Sequence, residues 1–386
     1  MLPLHWLLAI IGVAATAFAA SYAVVVLTAV LVWHARRPAV IPPGLLPVTL
    51  LKPLCGAEPR LYEHLRSFCL QDYPDYQIVF GVRDPADPAL AVVRRLQAEF
   101  PRLPIDLVVS PQLHGGNHKI SNLINMVACA RHDVLVMADS DTCVGPDYLA
   151  SVTAPLLDRE VGLVTCVYRG VPTPQVWSRL GAMYINEWFM PSVLLSWLFG
   201  LAGYATGQTL CLRRDTLQAI GGLQAIADHL ADDYRLGELV RGLGLRIVIS
   251  PYVVDAQHDE PDLNALVHHE LRWMRTTRIL RPISYSFMFC SFSLPLAGLG
   301  VVLAAAVPGL SVAAWALFWT AAAARLALHF AQRPGSARAL LSDLWLLPWR
   351  DLLICWIWYR SFFSYRVSWR GHDFDVDADG VMRRLS

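Results

Sequence analysis

Val134-Leu135-Val136-Met137-Ala138-Asp139-Ser140-Asp141 is the stretch that decides the fold. Five apolar residues without alternation read as a strand buried on both faces, the pattern of a parallel sheet. Ligands of open α/β sheets bind beyond the carboxyl ends of such strands. Asp139 and Asp141 stand at that end, one residue apart. Such a pair can hold a hard divalent cation, Mg²⁺ or Mn²⁺, whose shell combines a few carboxylates with substrate phosphates. An Asp-x-Asp alone is common in loops, so its meaning depends on the neighbouring segments.

Working outward, strand-like and helix-like segments alternate. Strands are expected over Val48–Leu51, Gln77–Val82 and Ile105–Val109, then at the run ending in Asp139, at Gly162–Tyr168 and at Gly207–Leu212. Helices are expected over Glu58–Leu70, Pro88–Phe100, from about Lys119, and over Asp228–Arg241. Alternation of this kind predicts an α/β domain with a parallel sheet covered on both faces.

The flanks differ in kind. Leu4–Trp33 is almost uncharged and long enough to span a bilayer, which takes about 20 apolar residues. His34-Ala35-Arg36-Arg37 follows at once, so the positive-inside rule puts the following residues in the cytosol. Ala17-Phe18-Ala19 could end a cleaved signal peptide. However, no basic segment precedes the run and the run continues past that point, so an uncleaved anchor is expected. Pro42-Pro43-Gly44 then reads as a short linker. Trp188–Tyr204 reads either as a buried helix pair or as an interfacial segment. Tyr285–Ala306 and Ser311–Phe330 read as a transmembrane hairpin around Pro308-Gly309, with Arg325 snorkelling at a cytosolic exit. Leu340–Phe363 carries Asp343, Arg350 and Asp351, too costly at mid-bilayer, and is expected to be interfacial or re-entrant.

Composition removes other classes. Across 386 residues the formal net charge is +1 and only 16% are charged, without the basic footprint of a nucleic-acid binder. The eight cysteines form no Cys-x-x-Cys pair. No zinc or redox spacing results, and a cytosolic domain would keep them as reduced apolar filler.

Four further features follow one another along the middle of the chain. Asp84 ends a strand in Val82-Arg83-Asp84-Pro85. Gly116-Asn117-His118-Lys119 opens a helix, where backbone N–H groups and a cation suit a diphosphate and Asn117 also suits capping. Ala231-Asp232-Asp233-Tyr234 starts another helix. His269-Glu270-Leu271-Arg272-Trp273 lies on an amphipathic helix just before the membrane segment. Leu51-Lys52-Pro53-Leu54, Asp72-Tyr73-Pro74, Thr206-Gly207 and Ser368-Trp369-Arg370-Gly371 complete the set.

In this order the motifs resemble the membrane-bound inverting glycosyltransferases of GT-A fold. The nearest likeness is to the ceramide glucosyltransferase-like family, with its bacterial branch associated with hopanoid biosynthesis. The likeness runs from about Leu46 to Arg370. It implies a Rossmann-like GT-A domain with one N-terminal transmembrane helix and C-terminal transmembrane or interfacial helices. The implied division is an anchor over 1–37, a cytosolic catalytic domain over 38–280, a hairpin over 281–335, and an interfacial or re-entrant helix with a cytosolic tail over 336–386.

The resemblance also implies roles. Asp84 would accept a hydrogen bond from the uracil of a UDP-sugar, with Asn117 and Lys119 at its diphosphate. Asp139 and Asp141 would hold Mn²⁺ or Mg²⁺. Asp233 would be the general base, Arg272 a phosphate contact and Trp273 a wall of the acceptor end. His269 stands where the wider family has Gln or Arg, and is expected to be a non-obligatory phosphate or acceptor contact. The expected reaction is inverting transfer of a hexose or N-acetylhexosamine from a UDP-sugar to a hydroxyl of a ceramide- or hopanoid-type lipid. The expected setting is a multi-pass protein of a bacterial inner membrane, with the bilayer but no nucleic acid as a partner. A processive polysaccharide synthase would need more spans. A silent nucleotide-sugar-binding protein would not need the intact carboxylates.

Overall fold

A computed structural model describes residues 3–36, 44–201, 203–332, 337–369, 372–377 and 379–384. The linker expected at Pro42-Pro43-Gly44 lies largely outside them. The chain forms two compact units. One combines Arg37–Thr173, Ala202–Asp259 and His372–Ser386; the other combines Met1–Arg36, Pro174–Leu201 and Glu260–Gly371.

The first unit is built on an eight-stranded sheet. Its strands are β1 Val48–Pro53, β2 Tyr76–Val82, β3 Ile105–Val109, β4 Val134–Met137, β5 Thr142–Cys143, β6 Val161–Pro172, β7 Leu210–Arg213 and β8 Arg246–His258. They lie in the order β3-β2-β1-β4-β7-β6-β8-β5. β1 pairs in parallel with both β2 and β4, and β2 with β3. The chain therefore steps outward through β2 and β3, then returns to the other side of β1. That reversal is the topological switch point, where a crevice opens beyond the strand ends.

Successive residues face opposite sides of the sheet. Leu50, Ile78, Phe80 and Val136 join one core layer. Leu51, Val79, Leu135 and Met137 join the other, beneath Ile120 and Leu123 of the helix His118–Val127.

Two expectations about this sheet change. It is mixed, not wholly parallel: β7 runs antiparallel to both β4 and β6. β8 also extends the sheet, running parallel to β6, although Pro251 sits within it. Proline cannot donate to a ladder. The register shifts between Cys166/Ser250 and Val167/Val253, so Pro251 and Tyr252 pass out of the pairing as a bulge. Near the C-terminus, His372–Val376 and Met382–Arg384 form an antiparallel hairpin. Met382 N–H donates to Asp228 O at 2.8 Å and Leu230 N–H to Gly380 O at 3.0 Å. The final strand thus lies along the segment that leads into Asp232 and Asp233.

The second unit is helical. Leu4–His34 and Pro308–Gln332 are each long and apolar enough to cross a bilayer. The helix Ser293–Ala304 packs against both. Contact with Leu4–His34 is through small residues: a Cβ on Gly12 would stand 2.4 Å from Gly300 O. Ala19, Ala20, Ala297 and Ala321 continue that seam. Small side chains let backbones approach where dispersion, not water exclusion, holds helices together.

The expected run Tyr285–Ala306 is broken. A 3₁₀ turn at Met288–Ser291 precedes Ser293–Ala304. Pro295 lies in the first turn of that helix, where its missing N–H costs no intrahelical bond, so a new helix begins there. Leu340–Phe363 divides into Ala337–Asp343 and Leu346–Ser361. The part of Trp188–Tyr204 up to Leu198 lies on a helical stretch made of Val176–Tyr184, a π-turn at Ile185–Phe189 and Met190–Leu198.

Arg325 does not snorkel. It is buried, with Nη1 2.7 Å from Glu187 Oε2 and Nη2 3.2 Å from Asp351 Oδ1. Arg350 is buried too and forks onto Glu270 at 2.6 and 2.8 Å. Asp343, Arg350 and Asp351, the charges that argued against a mid-bilayer position for Leu340–Phe363, are matched within the helical unit by Arg179, Glu270 and Arg325.

Candidate active site

β4 ends at Met137, and β5 starts at Thr142 by pairing with Ala256 of β8. Between them Asp141 O accepts from Gln257 N–H at 3.0 Å. Asp139-Ser140-Asp141 is therefore clamped between paired strands at the carboxyl end of β4, beside the switch point. Beneath it lies Lys52 of β1, fully buried, its ammonium donating to Asp139 O and standing 3.8 Å over the Phe68 ring. Burial pulls Lys52 down to about 7, against the pull of Asp141, Asp139 and Glu58.

Lys119 Nζ is 2.7 Å from Asp139 Oδ1 and 3.5 Å from Asp232 Oδ2. Burial opposes its charge, yet the carboxylates of Asp139 and Asp232 outweigh burial and hold the ammonium above its ordinary range. Asn117 is buried at the N-cap of His118–Val127. Its Oδ1 accepts from Lys119 N–H and Ile120 N–H at 3.0 and 3.1 Å. Its Nδ2 donates to His229 O at 2.9 Å and toward Asp232 Oδ1 at 3.4 Å. All its polar capacity is thus engaged inside the protein. In this structure Asn117 fixes the start of the Lys119 helix, and the phosphate contact expected of it has no free polar atom.

Asp232 and Asp233 open the helix Asp232–Gly242, where anions are favoured. The two side chains diverge. Asp232 is buried toward Asn117 and Lys119. Asp233 accepts from Tyr234 N–H at 2.7 Å and turns its other oxygen to Gly207. A Cβ on Gly207 would lie 3.3 Å from Asp233 Oδ2 and 3.8 Å from Asp139 Oδ2. The glycine leaves room between the two carboxylates. Burial, then the charge of Asp232, pushes Asp233 up to about 6, with Lys119 opposing.

Asp84 lies just beyond β2, exposed, accepting from Ala86 N–H at 2.8 Å in a local turn. Its second oxygen leaves it able to receive a donor group.

The donor set fits a divalent cation. Asp141 Oδ1 is buried and has no hydrogen-bond partner among the described residues. Burial raises the Asp141 carboxyl well above the carboxylate range, and Asp139 and Glu58 add to it while Lys52 opposes. Asp139, Asp141, Asp232 and Asp233, with Glu58 nearby, outnumber Lys52 and Lys119. The cluster has fewer cations than carboxylates, and its carboxylate oxygens suit Mg²⁺ or Mn²⁺.

His269, Arg272 and Trp273 lie on one face of the helix Leu263–Leu280 in the helical unit, three and four residues apart. His269 Nδ1 is 2.6 Å from Glu260 Oε1, and its ring centroid is 4.1 Å from that of Trp273. Trp273 stacks on Tyr184 at 5.5 Å and 19°. Arg272 Cζ lies 5.9 Å from the Trp273 ring centroid. Trp273 is thus fixed as a rigid aromatic surface, with His269 held by a carboxylate.

Lys52 was not expected to take part in the site. A lysine within Leu50-Leu51-Lys52-Pro53 was the available signal, since a cation in an all-buried strand needs a partner. Glu58 and the β5 clamp carry no local signal.

The model of the family described as "Glycosyl transferase family 21" matches residues 5–382. Ceramide glucosyltransferase 3 of Caenorhabditis elegans is 24% identical over 241 residues, covering 61% of this chain and 51% of that protein. Ceramide glucosyltransferase of Candida albicans is 30% identical over 114 residues, covering 26% and 21%. The chain spans about half the length or less of the curated relatives it matches. Among solved structures, the mannosyltransferase PcManGT from Pyrobaculum calidifontis, in complex with GDP-Man and Mn²⁺, superposes with a TM-score of 0.51. It is 21% identical and covers 92% of this chain and 96% of its own. The GT-A, Rossmann-like architecture expected of the sequence is shared with that protein.

Proposed function

The chain belongs to glycosyl transferase family 21, and from that premise we propose that it transfers a hexose or N-acetylhexosamine from a UDP-sugar to a hydroxyl of a membrane lipid, with inversion. The observation that carries this reading is the convergence of Asp139 and Asp233 on the space beside Gly207, with Asp141 and Lys119 adjoining. A leaving diphosphate needs positive charge on one side of the anomeric carbon, and an attacking hydroxyl needs a base on the other.

Asp233 supplies the base. Its Oδ2 takes the proton of the acceptor hydroxyl as that oxygen bonds to the anomeric carbon and the bond from that carbon to the diphosphate oxygen breaks. One displacement inverts the centre. The nucleoside diphosphate leaves with the electron pair and needs no proton, so the opposed acid of a hydrolase is not required. Lys119, in the first turn of its helix, brings a cation and the positive end of the helix to the phosphates. Asp84 would accept from the uracil N–H. Asp139 and Asp141 would hold Mn²⁺ or Mg²⁺, which when bound neutralises charge on the diphosphate.

The acceptor class rests on the ceramide glucosyltransferase relatives and on the two helices able to cross a bilayer. Ceramide- or hopanoid-type alcohols both fit that class. Arg272 and Trp273 are assigned to the leaving phosphate and the acceptor, and His269 to a supporting contact. The catalytic domain is assigned to the cytosolic side, where UDP-sugars are made; the compact units cut across the expected limits, since Pro174–Leu201 and Glu260–Gly371 group with the N-terminal helix and His372–Ser386 with the sheet.

UDP release by the full chain in detergent with mixed lipids tests the proposal. Release should require both donor and lipid, stop on chelation, and return with Mn²⁺ or Mg²⁺. Full turnover in excess EDTA would remove the metal assignment. Release without any lipid acceptor would remove the lipid one.

A further inference from the structure

Three arginines of the helical unit gather where two of its helices end. Arg275 and Arg278 lie toward the end of Leu263–Leu280, and Arg360 is in the last turn of Leu346–Ser361. Arg278 is buried, only 5% exposed; it donates to Ser361 O and, at 2.9 Å, to Ser364 O. Arg275 is half-buried, and its Nη1 donates to Arg366 O at 2.7 Å. Arg360 is exposed, and its side chain makes no hydrogen bond among the described residues.

Every acceptor here is a neutral carbonyl. Among the described residues no carboxylate pairs with any of the three, in contrast to Arg325 and Arg350. Burial, then the charges of Arg278 and Arg360, pull the Arg275 guanidinium below its ordinary value, so like charges share one neighbourhood. Each helix end supplies roughly half a negative charge, too little to balance three guanidiniums. Buried charges are ordinarily paired. Arg275 Nε and Arg278 Nε are also buried without a hydrogen-bond partner among the described residues. The pattern inverts the one around Asp139: what is missing here is an anion.

The surroundings indicate where the anion comes from. Arg278 Cζ lies 4.2 Å over the Tyr365 ring, and Arg360 Cζ lies 5.5 Å from the Trp356 ring. Both rings are exposed, as is Phe363. On Leu346–Ser361, Trp349, Leu352, Trp356 and Tyr359 recur every three or four residues and are all exposed, so an apolar stripe runs along the helix up to the arginines. Aromatic rings beside basic side chains are typical of a bilayer's interface, where anionic lipids attract Lys and Arg. A soluble phosphate would gain nothing from the rings.

We propose that Arg275 and Arg360, backed by the buried charge of Arg278, bind the phosphate diester of an anionic membrane phospholipid, with the exposed rings of Trp356, Phe363 and Tyr365 against its glycerol and acyl region. This lipid is neither sugar donor nor acceptor; it ties the helical unit to an anionic leaflet. The inference rests on the reading above only in seating the helical unit in a bilayer.

The test is native mass spectrometry of the full chain in detergent, titrated with phosphatidylglycerol or with phosphatidylcholine. Phosphatidylglycerol should be retained, and phosphatidylcholine, whose head carries no net charge, should not. Arg275→Gln and Arg360→Gln should each weaken phosphatidylglycerol about fivefold, the effect of about 1 kcal/mol per basic residue at an anionic surface. Arg360→Lys keeps the charge and should keep most of the affinity. Excess UDP or inorganic phosphate should not displace the lipid. The melting temperature in detergent reports folding; should Arg275→Gln fail to fold, Arg360→Gln decides alone, since that side chain makes no hydrogen bond to lose. Equal retention of phosphatidylcholine, displacement by UDP or phosphate, undiminished binding by folded Arg360→Gln, or equal losses in Arg360→Lys and Arg360→Gln would each overturn the proposal. A chain that retains phosphatidylglycerol as described but transfers no sugar keeps this site and refutes the transferase reading; transfer without that selectivity does the reverse.

Discussion

The sheet unit and the helical unit each bury a cluster of charges, and they balance them differently. Around Asp139 at least four carboxylates face two lysines, and Asp141 Oδ1 has no partner. In the helical unit Arg325 and Arg350 each sit against at least one carboxylate, so the two guanidinium charges are matched by Glu187, Asp351 and Glu270. A cluster short of positive charge is built to receive a cation from outside. A cluster whose guanidinium charges are matched by carboxylates from other helices ties those helices together. On the proposed reading the same residue types serve reaction chemistry in one place and assembly in the other.

The largest effect expected from breaking this contrast is at Asp233. Asp233→Asn keeps the shape and removes the proton acceptor. General bases contribute about 10²–10⁴-fold in rate, so kcat should fall on that scale with UDP-sugar affinity little changed. Asp139→Ala should lose donor binding along with turnover, because it withdraws a cation ligand. Calorimetric titration of UDP with and without Mn²⁺ separates the two. If Asp233→Asn retained turnover, the deficient cluster would not be the reaction centre.

At the helical cluster the loss should appear as stability. Arg325→Leu leaves Glu187 and Asp351 buried without their shared cation. Removing one partner of a buried pair costs about 3–5 kcal/mol. The melting temperature in detergent should drop markedly, while UDP binding at low temperature persists in the fraction that folds. A variant as stable as the parent would show that the closed cluster carries no structural load.

The pH profile sharpens the first half of the comparison. In the proposed reaction Asp233 works as a carboxylate, and burial with Asp232 raises it to about 6. Its base form is present above that value and disappears as pH falls through it. kcat should therefore be level near neutrality and decline toward about tenfold per pH unit below pH 6. The residual rate of Asp233→Asn should lack that limb.

A smaller effect is expected at the C-terminal hairpin. Ending the chain at Trp369 removes the bonds Met382 N–H to Asp228 O and Leu230 N–H to Gly380 O. Asp228 Oδ1 also accepts from Gly116 N–H at 2.7 Å, so the hairpin braces the lead-in to both the Lys119 helix and Asp233. Two hydrogen bonds at about 0.5–1.5 kcal/mol each bound the loss in kcat at about 150-fold, with about fivefold at the low end. Rates of full and shortened chains at saturating donor check it.

What was legible in the sequence follows from local physics. Uniform apolar runs betray buried strands, so β1 to β4 and the Asp139–Asp141 pair could be placed from composition alone. Strand direction leaves no such trace, and the antiparallel insertion of β7 could not be read. Pro251 concealed β8, because a proline in a strand-like run argues against a strand unless a bulge removes it from the ladder. Pairings across long separations were invisible as well: Glu187 and Arg325 are 138 residues apart. Arg325 alone looked like a side chain reaching for water. Asn117 shows the converse, since capping and phosphate binding want the same residue at the same helix start. Its side chain makes four hydrogen bonds, two of them to the helix start it caps.

The smallest effect separates the two adjacent aspartates. Neighbours on a helix point about 100° apart, and here Asp233 faces Gly207 while Asp232 faces Asn117 and Lys119. Both Asp232 contacts are long, 3.4 and 3.5 Å, and asparagine preserves an oxygen acceptor for Asn117. Asp232→Asn removes one charge from Lys119, which keeps the 2.7 Å contact with Asp139. It also relieves the repulsion that raises Asp233, so the acidic limb of the pH profile should move to lower pH. The loss in kcat should stay within about tenfold, far below that of Asp233→Asn. Side-by-side kcat values decide it. If Asp232→Asn were the more damaging, the base would be the buried member of the pair, and the open space beside Gly207 would not be where the acceptor hydroxyl reacts.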